Sequence, residues 1–204
     1  RFNVTTVGSS QNLQAQYGAS TALLNLNREP RFYSSLGFDR GYNRTWGNLW
    51  QLRMKKGETH GRIANSDDYL ISGYALKKLV HPDSEGDSYS KIVTYAWPMI
   101  RLSELYLNYA EAINESNGPN SDAYAALNVI RNRAGIQSVE EAWSNPAISA
   151  NLNKHTTQEG LREIIRDERL IELSFEGNRY NDLRRWKLAE EYFNSPVFGW
   201  SVNE

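Results

Sequence analysis

Glu163–Trp186 reads EIIRDERLIELSFEGNRYNDLRRW. Apolar residues recur at Ile164, Ile165, Ile171 and Phe175, the period of a helix face. Charges run through the same pattern. Glu168, Glu172 and Glu176 are spaced by four, Arg169 adjoins the first, and Arg179, Asp182 and Arg185 follow at steps of three. Such a stretch is either a catalytic cluster or a frame of ion pairs between helices. A catalytic pair needs two separated carboxyls facing a cleft, with one able to hold a proton. Arginines so close by hold carboxyls ionised. The expected reading is a framework network of Arg101, Glu111, Arg131, Arg133, Glu168, Arg169, Glu172, Glu176, Arg179, Asp182 and Arg185, in which guanidinium forks match carboxylates.

Upstream, RLSELYLNYAEAINES from Arg101 predicts a helix with Leu102, Leu105, Tyr106, Tyr109, Ala112 and Ile113 on one face. NGPN breaks it, and SDAYAALNVIRNRAG gives a second helix, capped by Asn120 or Ser121 and stopped at Gly135. Together they form a helical hairpin of tetratricopeptide type. Gln137–His155 reads as a connector. TTQE at Thr156–Glu159 reads as a capping box that opens the helix carrying Leu161, Ile164, Ile165, Ile171 and Phe175 inward, with Gly177 ending it. NRYNDLRRWKLAEEYF predicts one last helix with Leu183, Trp186, Ala189 and Phe193 on one side.

Residues 1–97 differ. Loose helical spacing at Ser10–Leu26 gives way to Gly, Asn, Arg and aromatics of weak period, and Tyr69–Val80 reads as one or two short strands. GYNRTWGNLW at Gly41–Trp50 spaces Tyr42, Trp46 and Trp50 by four. That pattern is a core-facing stripe if helical. If the two glycines make it a loop, it is an aromatic platform for a sugar face, with Arg44, Asn43 or Asn48 bonding hydroxyls. The candidate glycan-binding residues are therefore Tyr42, Arg44, Trp46 and Trp50.

Composition narrows the classes. The formal net charge of −1 argues against a nucleic-acid partner, and the absence of cysteine excludes disulfides and thiolate chemistry. His60, His81 and His155 lack ligand spacing, and DSEGD at Asp83–Asp87 lacks the rest of a calcium loop. No metal, cofactor or catalytic residue is expected.

Five segments carry a resemblance. Leu107–Ala112 (LNYAEA), Asn128–Gly135 (NVIRNRAG), Glu168–Trp186, Pro30–Tyr33 (PRFY) and Gly73–Lys78 (GYALKK) resemble, in order and spacing, the C-terminal part of the SusD/RagB family. The resemblance implies a surface-exposed lipoprotein of the bacterial outer membrane that binds oligosaccharide or starch-like polysaccharide. It further implies delivery of the glycan to a SusC-like TonB-dependent transporter, with a membrane contact only through a lipid anchor outside this sequence. The expected fold is mainly α: tetratricopeptide-like hairpins with long irregular loops and minor β, a fragment of a larger α-α superhelix. Residues 1–204 are expected to form one region, loop-rich over 1–97 and helical over 98–204. The alternative is a helical-repeat interaction scaffold without its own sugar site; a glycosidase is the third reading.

Overall fold

The computed structural model describes residues 2–3, 20–45, 48–62, 70, 72–81, 83–85 and 89–196, with side chains for all of these but 2, 3, 20, 23, 43–45, 48–50 and 89. The chain divides into two compact units, Arg1–Ala96 with Asn194–Glu204, and Trp97–Phe193.

The first unit contains three antiparallel ribbons and a short helix. Strand β1 (Phe2–Asn3) pairs with β2 (Ser20–Thr21). Helix α1 (Pro30–Ser35) starts on a proline, whose fixed φ suits the first turn. It feeds β3 (Leu36–Phe38). β4 (Tyr42–Thr45) and β5 (Asn48–Gln51) form a hairpin, and β6 (Tyr74–Leu76) returns to pair with β3. Of the segment read as one or two strands at Tyr69–Val80, the described part supplies only β6. Of the loose helical spacing at Ser10–Leu26, only Ser20–Leu26 is described: β2 and a 3-10 turn at Leu23–Asn25.

PRFY and GYALKK, some forty residues apart in sequence, meet here. Buried Asn25 donates to the Thr21 hydroxyl at 3.0 Å and accepts from the Tyr74 hydroxyl at 2.9 Å, while its carbonyl takes the Tyr33 hydroxyl at 3.0 Å. Lys77 Nζ donates to the Tyr33 carbonyl at 2.7 Å. The Phe32, Tyr33, Phe38 and Tyr74 rings interlock at centroid distances from 5.3 to 6.5 Å. Polar tips on apolar rings allow such a cluster to be dry and still satisfied.

The second unit is helical: α2 (Leu102–Asn117), α3 (Ser121–Arg133), α4 (Val139–Ser144), a 3-10 turn at Lys154–Thr156, α5 (Gln158–Glu172), α6 (Asn178–Arg185) and α7 (Ala189–Phe193). The Asn120 side chain accepts from the Asp122 and Ala123 amides and so opens α3. Gly135, at φ 71°, closes it, with the Ile136 amide reaching back to the Arg131 carbonyl at 3.1 Å. The core is Leu107 and Ala110 of α2, Ala123, Ala126, Leu127 and Ile130 of α3, Val139, and Leu161, Ile164, Ile165 and Leu173. Small alanines at the α2–α3 contact let the two backbones approach.

Several expectations are corrected. The inward positions of α2 are Ser103, Leu107, Ala110 and Asn114; Leu102, Leu105 and Tyr109 are exposed. An apolar template cannot select this stripe, because two of its members are polar. Asn114 is held inside by exchanging hydrogen bonds with Gln158: its Nδ2 donates to the Gln158 carbonyl, and Gln158 Nε2 donates to its carbonyl. The connector Gln137–His155 contains α4, opened by a capping box of Ser138 and Glu141. The cap of α5 is Thr157, whose hydroxyl accepts from the Gly160 amide at 3.1 Å, rather than a Thr156–Glu159 box. Gly160 sits so close to the preceding 3-10 turn that a Cβ there would overlap the Lys154 carbonyl. Ile171 and Phe175 are exposed, and the inward stripe of α5 continues from Leu161, Ile164 and Ile165 as Glu168, Arg169 and Glu172. The helix stops at Glu172, ahead of Gly177, whose φ of 84° instead begins α6. The last helix is two, because Lys187 takes φ 60° and the Leu188 amide turns back to the Leu183 carbonyl. A lysine at a left-handed stop carries no glycine signal in sequence. Phe193 is exposed.

Candidate functional site

The described residues of Gly41–Trp50 form neither a helix nor an irregular loop. They make the hairpin β4–β5, with Tyr42 opposite Gln51, Asn43 opposite Trp50, Arg44 opposite Leu49 and Thr45 opposite Asn48. The helical-stripe reading is thereby overturned: Tyr42 and Trp50 lie on two paired strands, and Trp50 pairs one ladder step out of phase with Tyr42. Trp46 lies outside the described residues, as do the side chains of Arg44 and Trp50. Tyr42 is half-buried, and its carbonyl accepts from Lys77 Nζ at 3.5 Å.

Below the ladder the ribbon is anchored by a charged knot. The Arg40 amide donates to the Leu52 carbonyl at 2.7 Å, and the Leu52 amide to the Gly41 carbonyl at 2.8 Å. Arg40 adopts φ 65° to do so. Its guanidinium donates to Glu58 Oε1 at 2.5 Å, while buried Asp39 takes the Met54 amide on Oδ1 at 2.9 Å and lies 3.7 Å from Arg40 Nε. The Thr21 hydroxyl closes the knot on the Asp39 carbonyl at 2.7 Å. These bonds hold the base of the ribbon.

Burial raises the Asp39 carboxyl above its ordinary value, against the opposing pull of the Met54 amide and the Arg40 and Lys55 charges. Burial likewise lowers Lys77. The folded protein therefore holds the Asp39 proton more tightly than the unfolded chain does. Stability from this group is full at acidic pH, below the unfolded value, and is lost as pH rises through the folded value. Asp39→Asn keeps the acceptor for Met54 and removes the charge. We expect its urea midpoint to exceed the wild-type value at neutral pH, with the gap closing below about pH 3.9, the ordinary aspartate value. A constant gap across that range would exclude the charge as its cause.

In the helical unit the charged residues meet in pairs. Arg101 spans Glu172 at 3.1 Å and Glu176 at 2.7 Å, and Arg133 reaches the same Glu172 oxygen at 2.5 Å. Arg131 donates to Glu168 at 2.8 Å. Arg169 and Asp182 are both buried and join through two parallel bonds of 2.9 Å, with Arg169 Nη1 also on the Asn108 amide oxygen at 2.6 Å. Arg185 adds Asp182 at 2.9 Å and forks onto Glu111, which also takes the Trp186 indole N–H at 2.8 Å. Arg179 departs from the expected network. Among the described residues it meets no carboxylate, and it stands instead over the Trp186 and Tyr192 rings.

An open groove of about 530 Å³ lies along α2 and α6, lined by Glu104, Asn108, Glu111, Asn178, Asn181 and Asp182 among others. Two of its carboxylates, Glu111 and Glu115, are poor proton donors. Burial works to raise Glu111, but the Arg185 and Trp186 hydrogen bonds outweigh it and hold that carboxyl below the ordinary range. The Arg162 fork does the same for Glu115. Among the described residues no group of three or more His, Asp or Glu side chains could hold a metal ion, and no helix is long and apolar enough to cross a membrane.

Comparison with known proteins gives a consistent family. SusD-like protein P2 of Formosa agariphila is 37% identical over 94 residues, covering 46% of this chain and 17% of that protein. SusD-like protein P25 of the same organism is 39% identical over 88 residues, covering 43% and 15%. The chain thus spans less than a fifth of the length of either relative. A solved SusD-like protein of Bacteroides fragilis superposes with a TM-score of 0.64 at 28% identity, over 81% of this chain and 29% of its own. A SusD-like carbohydrate binding protein of the same species shares the fold at a TM-score of 0.64 and 22% identity, over 96% and 34%. The family model described as the SusD family matches residues 2–202, nearly the whole sequence, and the mainly helical, hairpin-based architecture agrees with it: the chain belongs to the SusD family.

Proposed function

We propose that this chain is one region of a longer glycan-binding protein of the bacterial outer-membrane surface. It captures oligosaccharide or starch-like polysaccharide without chemistry and hands it to a SusC-like TonB-dependent transporter. The membrane contact is a lipid anchor outside this sequence. The loop-rich residues 1–97 present the ligand site, on the β4–β5 hairpin at Tyr42, Arg44, Trp46 and Trp50, and the helical residues 98–204 act as the frame. The observation that carries the reading is the family match across residues 2–202. A neighbour of the same fold described as carbohydrate binding supports the ligand class. Charged residues locked in pairs support binding over catalysis, since a general acid needs a carboxyl free to hold its proton.

The test is retention on gels containing starch and other polysaccharides, with calorimetry on the retained ligand. Tyr42→Ala, Arg44→Ala and Trp50→Ala are each expected to weaken binding by about ten-fold or more, equivalent to about 1.4 kcal/mol, with the melting temperature unchanged. Full retention in all three variants would remove the site from the hairpin. A second reading, an interaction scaffold, is favoured by the exposed Leu102, Leu105 and Tyr109 of α2. It predicts no retained glycan of any kind.

A further inference from the structure

Three of the six guanidiniums on α5 and α6 end on carboxylates: Arg162 on Glu115, Arg169 on Asp182, Arg185 on Glu111. Arg184 stands over the Tyr180 ring, and two beside Trp186 likewise meet no carboxylate among the described residues. The Arg166 guanidinium lies 4.9 Å from the Trp186 ring centroid, and its buried Nε has no acceptor among the described residues. Arg179 lies 5.9 Å from the same centroid and 4.8 Å from that of Tyr192, again with no described carboxylate in reach. Arg185, at 4.7 Å, is a third cation on the same indole. The rings orient Arg166 and Arg179 but give their in-plane N–H groups no acceptor among the described residues, whereas Arg185 is already engaged by Glu111 and Asp182; a guanidinium carries five donors. The carboxylates alongside are already engaged. Glu111 holds Arg185 and the Trp186 N–H, Glu115 holds Arg162, and Asp182 holds Arg169 and Arg185. Asp167 and Glu190 are exposed, and among the described residues neither forms an ion pair with Arg166 or Arg179.

Forked donors without an acceptor, gathered on one aromatic ring, fit a multivalent oxygen anion. We propose that Arg166 and Arg179, flanked by Arg185 on the Trp186 ring, bind an oxyanion group of the ligand, a sulfate ester or a carboxylate carried on a sugar. The site is separate from the hairpin and makes the preferred ligand an acidic glycan. It rests on the glycan reading for the nature of the carrier, and on its own geometry for the anion.

The experiment is a titration of the full chain, at constant ionic strength, with inorganic sulfate, glucuronate and glucose. Binding is read from the arginine Nε–H resonances in nitrogen-15 spectra. Sulfate and glucuronate are expected to shift the Arg166 and Arg179 signals, and glucose to leave them in place. Arg166→Gln and Arg179→Gln should each weaken glucuronate binding by about ten-fold, the scale of one charge-assisted hydrogen bond. Arg179→Lys keeps the charge but not the fork and should lose most of that affinity too, which covers the case in which the glutamine variant fails to fold. Equal shifts with glucose, or variants that bind glucuronate as the wild type does, overturn the proposal. So does capture by phosphatidylglycerol vesicles in the absence of any glucuronate effect, which would give the anion to a lipid. Neutral oligosaccharide retained on gels without an anion response defeats this inference and leaves the glycan reading standing. A sulfate response with no glycan retained does the reverse.

Discussion

Arg169→Ala is expected to destabilise the helical unit by about 3–5 kcal/mol, lowering its melting temperature by something of the order of 10 °C. The cause is the charge left behind. Asp182 is 5% exposed and Arg169 4%, so truncating the arginine strands a carboxylate that water reaches poorly. Arg185 Nε, at 2.9 Å from Asp182 Oδ1, replaces only part of the lost pairing. The intact pair need not be strongly stabilising in itself, because burying two ions costs several kcal/mol each, by order of magnitude. That asymmetry is the test. Arg169→Met combined with Asp182→Leu should cost less than either single truncation, since no charge is stranded and exposed Asn108, which accepts from Arg169, can turn to water. Additive losses, or single variants within about 1 kcal/mol of wild type, the range of exposed pairs, would show that the pair is solvated.

Leu107→Ala and Leu105→Ala should separate sharply. Leu107 is fully buried among α2, α3 and α5, and its truncation should cost about 2–5 kcal/mol through lost burial and a residual cavity. Leu105, two residues earlier, is 53% exposed and should change stability by no more than about 0.5 kcal/mol. Chemical denaturation of the two variants decides between the faces of α2. Equal losses would return the inward stripe to the one that apolar spacing suggests.

Helix α3 was legible because its start and stop signals are chemical: Asn120 and Gly135 bound it in sequence as in structure. The face of α2 was not, since Ser103 and Asn114 occupy core positions through hydrogen bonds that hydrophobicity does not register. The same holds at the end of α5, where Glu168, Arg169 and Glu172 take inward positions that apolar residues would otherwise fill. Partners for those charges could be anticipated by type but not by pairing, because each arginine had several carboxylates within reach along the chain. Arg179 shows the limit: among the described residues it stands over two aromatic rings and meets no carboxylate. In the first unit, a spacing of four across Tyr42, Trp46 and Trp50 imitated a helix although the register is that of a hairpin. In sequence, the two residues between Thr45 and Asn48 are not the Asn-Gly or Asp-Gly pair that marks hairpins most clearly. The meeting of PRFY with GYALKK on Asn25 left no local trace, since it depends on long-range packing alone.

The rungs joining α2, α3, α5 and α6 have a consequence for how such a chain can vary. Leucine, isoleucine and valine trade places in an interior when total volume is kept. A forked guanidinium on a carboxylate has no substitute of similar shape, and lysine does not reproduce it. Mutational drift should therefore erode the greasy interior of this unit faster than its ionic rungs, so that distant descendants would be recognised by their charges.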